Sequence, residues 1–189
     1  EPALKKRLSV TCDNQPFIAD APLVLLFCAD CQKWYDAYRY AGCTPRHPSA
    51  GDLMLAVEDS SLAAQNAVTA AWSLGIGSCY IGDIVENFEI HKELLNLPPQ
   101  VAPLCMLVFG YPTQQQKNRP QTSRFPQKMI VMENGYHDLT EEELQEFYPD
   151  DKAQAFYNRK YISDFALEMV RSAEEILKNR EDRKSTRLN

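Results

Sequence analysis

Three short patterns in this chain could do chemistry. Lys117-Asn118-Arg119 sets two cations two residues apart. On an extended segment both would point the same way and converge on one anion, the guanidinium gripping a phosphate through two parallel hydrogen bonds. Gly75-Ile76-Gly77-Ser78-Cys79-Tyr80 is a glycine turn, where the main chain can bend and come close to a flat ligand. It superficially suggests a dinucleotide fingerprint, but that motif follows a strand, opens a helix and carries a third glycine at its sixth position. Here the run follows a helical pattern and its sixth residue is Tyr80, so the Rossmann reading fails. Cys28-Ala29-Asp30-Cys31 has the spacing of a thiol-redox pair at a strand-to-helix junction. No second Cys-x-x-Cys completes a zinc site, and His47, His91 and His137 stand apart in sequence, so inert buried thiols are the expectation. No nucleophile–base arrangement is visible.

These residues need elements to place them. Ala3 to Val10 reads as a short basic-faced helix. Pro22 to Cys28 is a continuous apolar run, the pattern of a strand buried on both faces. Asp30 to Tyr40 is aromatic-rich and helical, and Gly42 to Gly51 is a loop. Asp52 is placed to cap a long helix that reaches Leu74, with Gly75 as its left-handed terminator. Alanines at 63, 64, 67, 70 and 71 let that helix pack closely. Ser78 to Ile81 is extended. Asn87 caps a helix through Leu95, stopped by Pro98-Pro99. Val101 to Phe109 is a second buried strand, Tyr111 to Gln127 a long polar loop, and Met129 to Glu133 a third strand. Thr140 and Glu143 form a capping box, helices fill Asp150 to Lys178, and Arg180 to Asn189 is a charged tail.

Composition narrows the class. The 189 residues carry 44% apolar and 24% charged side chains, ordinary for one globular domain. A net charge of -6 argues against a nucleic-acid partner. No apolar run approaches the ~20 residues that span a bilayer, so no membrane span is expected. The six cysteines, with no signal-peptide pattern, read as reduced thiols in a cytoplasmic protein. The chain does not begin with Met, and it is expected to start inside a longer protein.

Read in order, Phe27-Cys28-Ala29-Asp30, Ala63-Ala64-Gln65-Asn66-Ala67, Ser73-Leu74-Gly75-Ile76-Gly77, Tyr80-Ile81-Gly82, Lys117-Asn118-Arg119 and Val131-Met132-Glu133-Asn134-Gly135-Tyr136 resemble the nitroreductase family, in its subgroup of oxygen-insensitive NADPH nitroreductases and NADPH-flavin oxidoreductases. The likeness covers nearly all of residues 3–160. It implies an α+β fold, a mostly antiparallel sheet flanked by helices, in an intertwined homodimer with FMN at the interface. It implies one such domain over 1–179, with 180–189 as tail. By the same match Gln15 would bond the flavin ring region. Tyr80, Ile81, Gly82 and Asp83 would line the ring, and Lys117, Asn118 and Arg119 would hold the phosphate end. Arg159 matches an arginine that holds the NADPH phosphate. The family's Arg-Ser-x-Arg segment, which grips the FMN phosphate, and the serine-rich stretch after it have no counterpart in this chain. Asp83 stands where glycine is frequent.

The implied activity is a ping-pong hydride transfer from NAD(P)H to FMN and on to a small-molecule acceptor: a nitroaromatic, a quinone or a flavin. The flavin carries the chemistry, so no catalytic side chain and no metal are expected. Two alternatives are a flavin-binding scaffold without turnover and a thiol-redox module using Cys28 and Cys31.

Overall fold

The computed structural model describes residues 1–121 and 124–147. The chain forms two compact units, Glu1–Thr113 with Glu168–Asn189, and Gln114–Leu167. The expected helices over 150–178 and the charged tail lie outside the described residues.

In the first unit α1 (Pro2–Thr11) and α2 (Pro16–Asp20) precede strand β1 (Leu23–Asp30). Then come α3 (Gln32–Tyr40), the long α4 (Ala50–Ser73), β2 (Gly77–Ile81), a 3-10 turn (Asp83–Val85), α5 (Phe88–Leu94) and β3 (Val101–Gly110). The three strands make one antiparallel sheet in the order β1-β3-β2. Leu25, Leu107 and Tyr80 are cross-strand neighbours, which fixes the register. A bulge interrupts the β1–β3 ladder between Phe27 and Cys28.

Strand alternation splits the apolar side chains between two cores. Ile81, Met106 and Val108 point to the face covered by α1, α2 and the 3-10 turn, where they meet Leu8, Cys12, Ile18 and Ile84. Leu107 and Phe109 point to the opposite face, under Ala64 and Ala71 of α4. Ala64, Ala67, Val68 and Ala71 repeat at helical spacing, so the small residues form the seam on which α4 lies against the sheet. Central β3 is the most buried strand. β1 is only half-buried, with Leu23 49% exposed, so the expectation of burial on both faces is corrected: an edge strand is covered less than the strand it flanks.

Helix ends follow local chemistry. Ser49, not Asp52, is the N-cap of α4. Asp52 is the third helical residue, and its carboxylate accepts the Ser49 N–H at 2.6 Å. At the other end Gly75 adopts φ +73°. Its N–H donates to Trp72 O and that of Ile76 to Ala71 O, the paired bonds of a Schellman stop. α5 stops the same way four residues before Pro98: Asn96 takes φ +50°, and Leu97 N–H donates to Lys92 O. Asn87 starts α5 without a side-chain cap, because its amide Nδ2 donates to Thr11 O at 2.9 Å instead.

The described part of the second unit contains α6 (Gln114–Lys117), a 3-10 turn (Gln127–Met129) and α7 (Glu141–Phe147). The capping box is formed: Glu143 N–H donates to Thr140 Oγ1 and Thr140 N–H to Glu143 Oε2. Met129 to Glu133 is not a strand. Val131 N–H closes a turn on Gln127 O, and Ile130 and Val131 are 67% and 62% exposed. An apolar run becomes a strand only where a partner strand accepts its hydrogen bonds.

Candidate functional site

Gln15 follows two consecutive left-handed residues, Asp13 (φ 57°) and Asn14 (φ 51°), a conformation that short polar side chains tolerate. That turn brings Gln15 N–H back to Ser9 O at 2.7 Å, and its side-chain Nε2 donates to Cys12 O at 3.0 Å. Gln15 itself is half-buried. β2 is an edge strand, so alternate main-chain groups along it face away from β3. Tyr80 lies on it with its ring 46% exposed and its hydroxyl 3.3 Å from Gln65 Oε1 of α4. Ile81 is 2% exposed and pairs with Met106, so the residue belongs to the core and offers a ligand almost no surface. Gly82 and Asp83 then open the 3-10 turn, Gly82 O accepting from Val85 N–H.

Cys12 links the two segments. Gln15 holds its carbonyl, and the Asp83 carboxylate acts on its thiol, which burial first and that charge second push up to about 12. The Asp83 charge also raises the Cys79 thiol, behind burial as the larger cause. Gln15 and Asp83 thus both act on Cys12, one through its carbonyl and one through the charge felt at its thiol. A half-exposed ring and a strand edge that is free among the described residues suit a flat heteroaromatic ring, so the residues present fit a flavin.

Lys117 to Arg119 is not extended. Lys117 ends α6, Asn118 N–H donates to Gln114 O and Arg119 N–H to Gln116 O. In helical turns residues two apart diverge, so the convergence expected from spacing is corrected. Lys117, Asn118 and Arg119 are all exposed. Arg159 lies outside the described residues.

The Cys28/Cys31 pair lacks the features of a redox dithiol. Burial, then the Asp30 charge and Cys105, push the Cys28 thiol up, whereas an attacking thiol needs a lowered value. Cys31 is buried, with Sγ 3.6 Å from Asp52 O. No group of three or more metal-ligating side chains occurs among the described residues. None of their helices is long and apolar enough to cross a membrane.

His91, which stands apart from the other histidines in sequence, has a structural place that the sequence did not show. It is fully buried, its Nδ1 2.7 Å from Ile84 O and its Nε2 2.8 Å from Thr11 Oγ1. It braces the turn that follows Asp83 against the end of α1. The signal that could have found it is a lone polar residue on the apolar face of α5.

Residues 2–111 match the family model described as nitroreductase family. The chain belongs to the nitroreductase family. Among curated relatives of this nitroreductase-family chain, the oxygen-insensitive NADPH nitroreductase of Salmonella typhimurium is 36% identical over 82% of the chain and 61% of its own length. A Cr(VI) reductase of a Pseudomonas species is 33% identical over 88% of the chain and 72% of its own. Among solved structures, the NADPH:FMN oxidoreductase of Vibrio harveyi complexed with NAD+ superposes with a TM-score of 0.75 at 25% identity, over 94% of this chain and 76% of that one. The α+β fold with its antiparallel sheet is the family's. The chain spans between 60% and 72% of the length of the first curated relatives it matches.

Proposed function

We propose that this chain is the core of a cytoplasmic, homodimeric oxidoreductase that draws hydride from NAD(P)H and delivers it to a nitroaromatic, a quinone or a flavin. The observation that carries the reading is the outer edge of β2 among the described residues, where half-exposed Tyr80 pairs inward with Leu107 and the chain leaves the sheet after Ile81 through Gly82 and Asp83. When bound, FMN supplies reversible hydride acceptance. The chain's own residues do the rest. Gln15 offers its amide to the polar edge of the ring. Tyr80, steadied by Gln65, walls one side. Main-chain N–H groups of Gly82 and Asp83, where the chain leaves the sheet, would face the negative charge that reduction creates. Lys117, Asn118 and Arg119 are assigned to the FMN phosphate, and Arg159 to that of NADPH.

Two surfaces support the dimer. α4 leaves Met54, Leu62 and Trp72 more than 60% exposed, apolar surface that a second copy would cover. Ile130 and Val131 form an apolar run that pairs with no strand among the described residues. An intertwined partner supplies the missing edge.

The test mixes the FMN-loaded protein anaerobically with NADPH. Bleaching of the flavin band, reversed by adding a nitroaromatic, is expected. Bound flavin that stays oxidised would make the protein a binder without turnover and end the reading.

A further inference from the structure

We propose that the cleft between α3 and the N-terminal half of α4 is a second ligand site, built for a planar aromatic cation. The cleft encloses about 600 Å³, inside the ~300–1,000 Å³ of small-molecule sites. One wall is the aromatic face of α3. The rings of Trp34 and Tyr38 stand 6.2 Å apart at a 30° tilt, and the two residues are 61% and 52% exposed. Aromatic side chains that serve packing lose their faces to neighbours, whereas these two keep theirs open to the cleft.

The opposite wall is a single stripe of α4. Asp52, Leu55, Ala56, Asp59 and Ser60 line the cleft at i, i+3, i+4, i+7 and i+8. A stripe made for packing would be apolar throughout. This one alternates apolar surface with carboxylates, the pattern of a site that holds a flat ring and reads a charge at its edge.

The charge it reads is positive. Asp30, Asp52 and Asp59 line the cleft against Lys33 and Arg46, one negative charge in excess. Arg46 is spent on Asp52, which it binds through both guanidinium nitrogens at 2.6 and 3.0 Å. The aromatic cluster already draws a cation, since Arg39 Cζ sits 5.8 Å from the centre of the Tyr35 ring. Trp34 and Tyr38 offer the same negative ring faces to a ligand.

The cleft is separate from the flavin residues. Neither Gln15 nor any of Tyr80 to Asp83 lines it. It lies at the end of β1, and β3 separates that strand from β2. The inference goes beyond the oxidoreductase reading and does not rest on it.

The probe is proflavine, a tricyclic diaminoacridinium, titrated by fluorescence into the full chain, with 9-anthracenecarboxylate as an anion of the same ring size. Saturable one-to-one binding of proflavine is expected, with the anion about tenfold weaker. Trp34→Ala should weaken proflavine about tenfold and Asp59→Asn about threefold. Both side chains are exposed, so both variants should keep the parent's circular dichroism. Tyr111→Ala, at an exposed aromatic outside the cleft, should bind as the parent does. Excess FMN should not displace the dye. No saturable binding, equal affinity for the anion, parental affinity in Trp34→Ala, or displacement by FMN would each overturn the proposal.

Discussion

His91 Nε2 lies 2.8 Å from Thr11 Oγ1, joining residues 80 apart in sequence. The partner of its other ring nitrogen sets the tautomer. Ile84 O can only accept, so Nδ1 carries the proton and donates at 2.7 Å, which leaves Nε2 as acceptor for the Thr11 hydroxyl. The ring is neutral, and burial holds its pKa below the ordinary histidine value, against the weaker opposing pull of the Ile84 bond and the Asp83 charge.

That lowered value makes stability depend on pH. The unfolded chain takes up a proton near pH 6.5 and the folded one only below that. Stability is therefore complete above about pH 6.5 and falls as the pH drops towards the folded value, by at most ~1.4 kcal/mol per pH unit. Urea unfolding from about pH 7.5 to about pH 5.5 should show the loss. His91→Gln should be less stable by about 1–3 kcal/mol at the higher pH and should lose this part of the slope.

Ala64 is fully buried where α4 meets Leu107 and Phe109. Ala64→Leu adds volume to a seam that cannot open without lifting the helix. It should cost about 1–3 kcal/mol in urea unfolding, whereas the same change at exposed Ala63 should cost under about 0.5 kcal/mol.

Asp83 acts on its neighbours through charge. In Asp83→Asn the Cys79 thiol should lose part of its upward shift, and its alkylation by iodoacetamide near neutral pH should speed up. Peptide mapping separates Cys79 from exposed Cys43. An unchanged rate at Cys79 would show that the carboxylate is not felt there.

Lys117 and Arg119 are assigned to the FMN phosphate. Replacing both with Ala should weaken FMN binding at least about tenfold, the loss of one charge-assisted contact or more, and should steepen no salt dependence. Equilibrium dialysis at two ionic strengths checks both statements. Undiminished affinity would remove the two residues from the site.

Local bonding made much of the fold legible. Gly75 ends α4 because only its own backbone and that of the preceding turn are involved, and the Thr140–Glu143 box forms within four residues. The runs that became β1 and β3 carry a dense apolar pattern, and each found its partner in the other. Errors fell where a partner from elsewhere decides. Met129 to Glu133 had strand composition and no strand to pair with among the described residues. Lys117 to Arg119 was assumed extended, yet a short helix continues into it.

The sequence by itself determined the types of most elements, their stops and the family, because these depend on propensities and hydrogen bonds that span a few residues. Only the tertiary structure decided that β2 is an edge strand among the described residues, that His91 is sealed against Thr11, and that Gln15 holds the carbonyl of a buried Cys12 whose thiol feels the Asp83 charge. Burial and strand order arise from contacts between distant segments, and the charge state of a histidine or a thiol follows from the burial those contacts create.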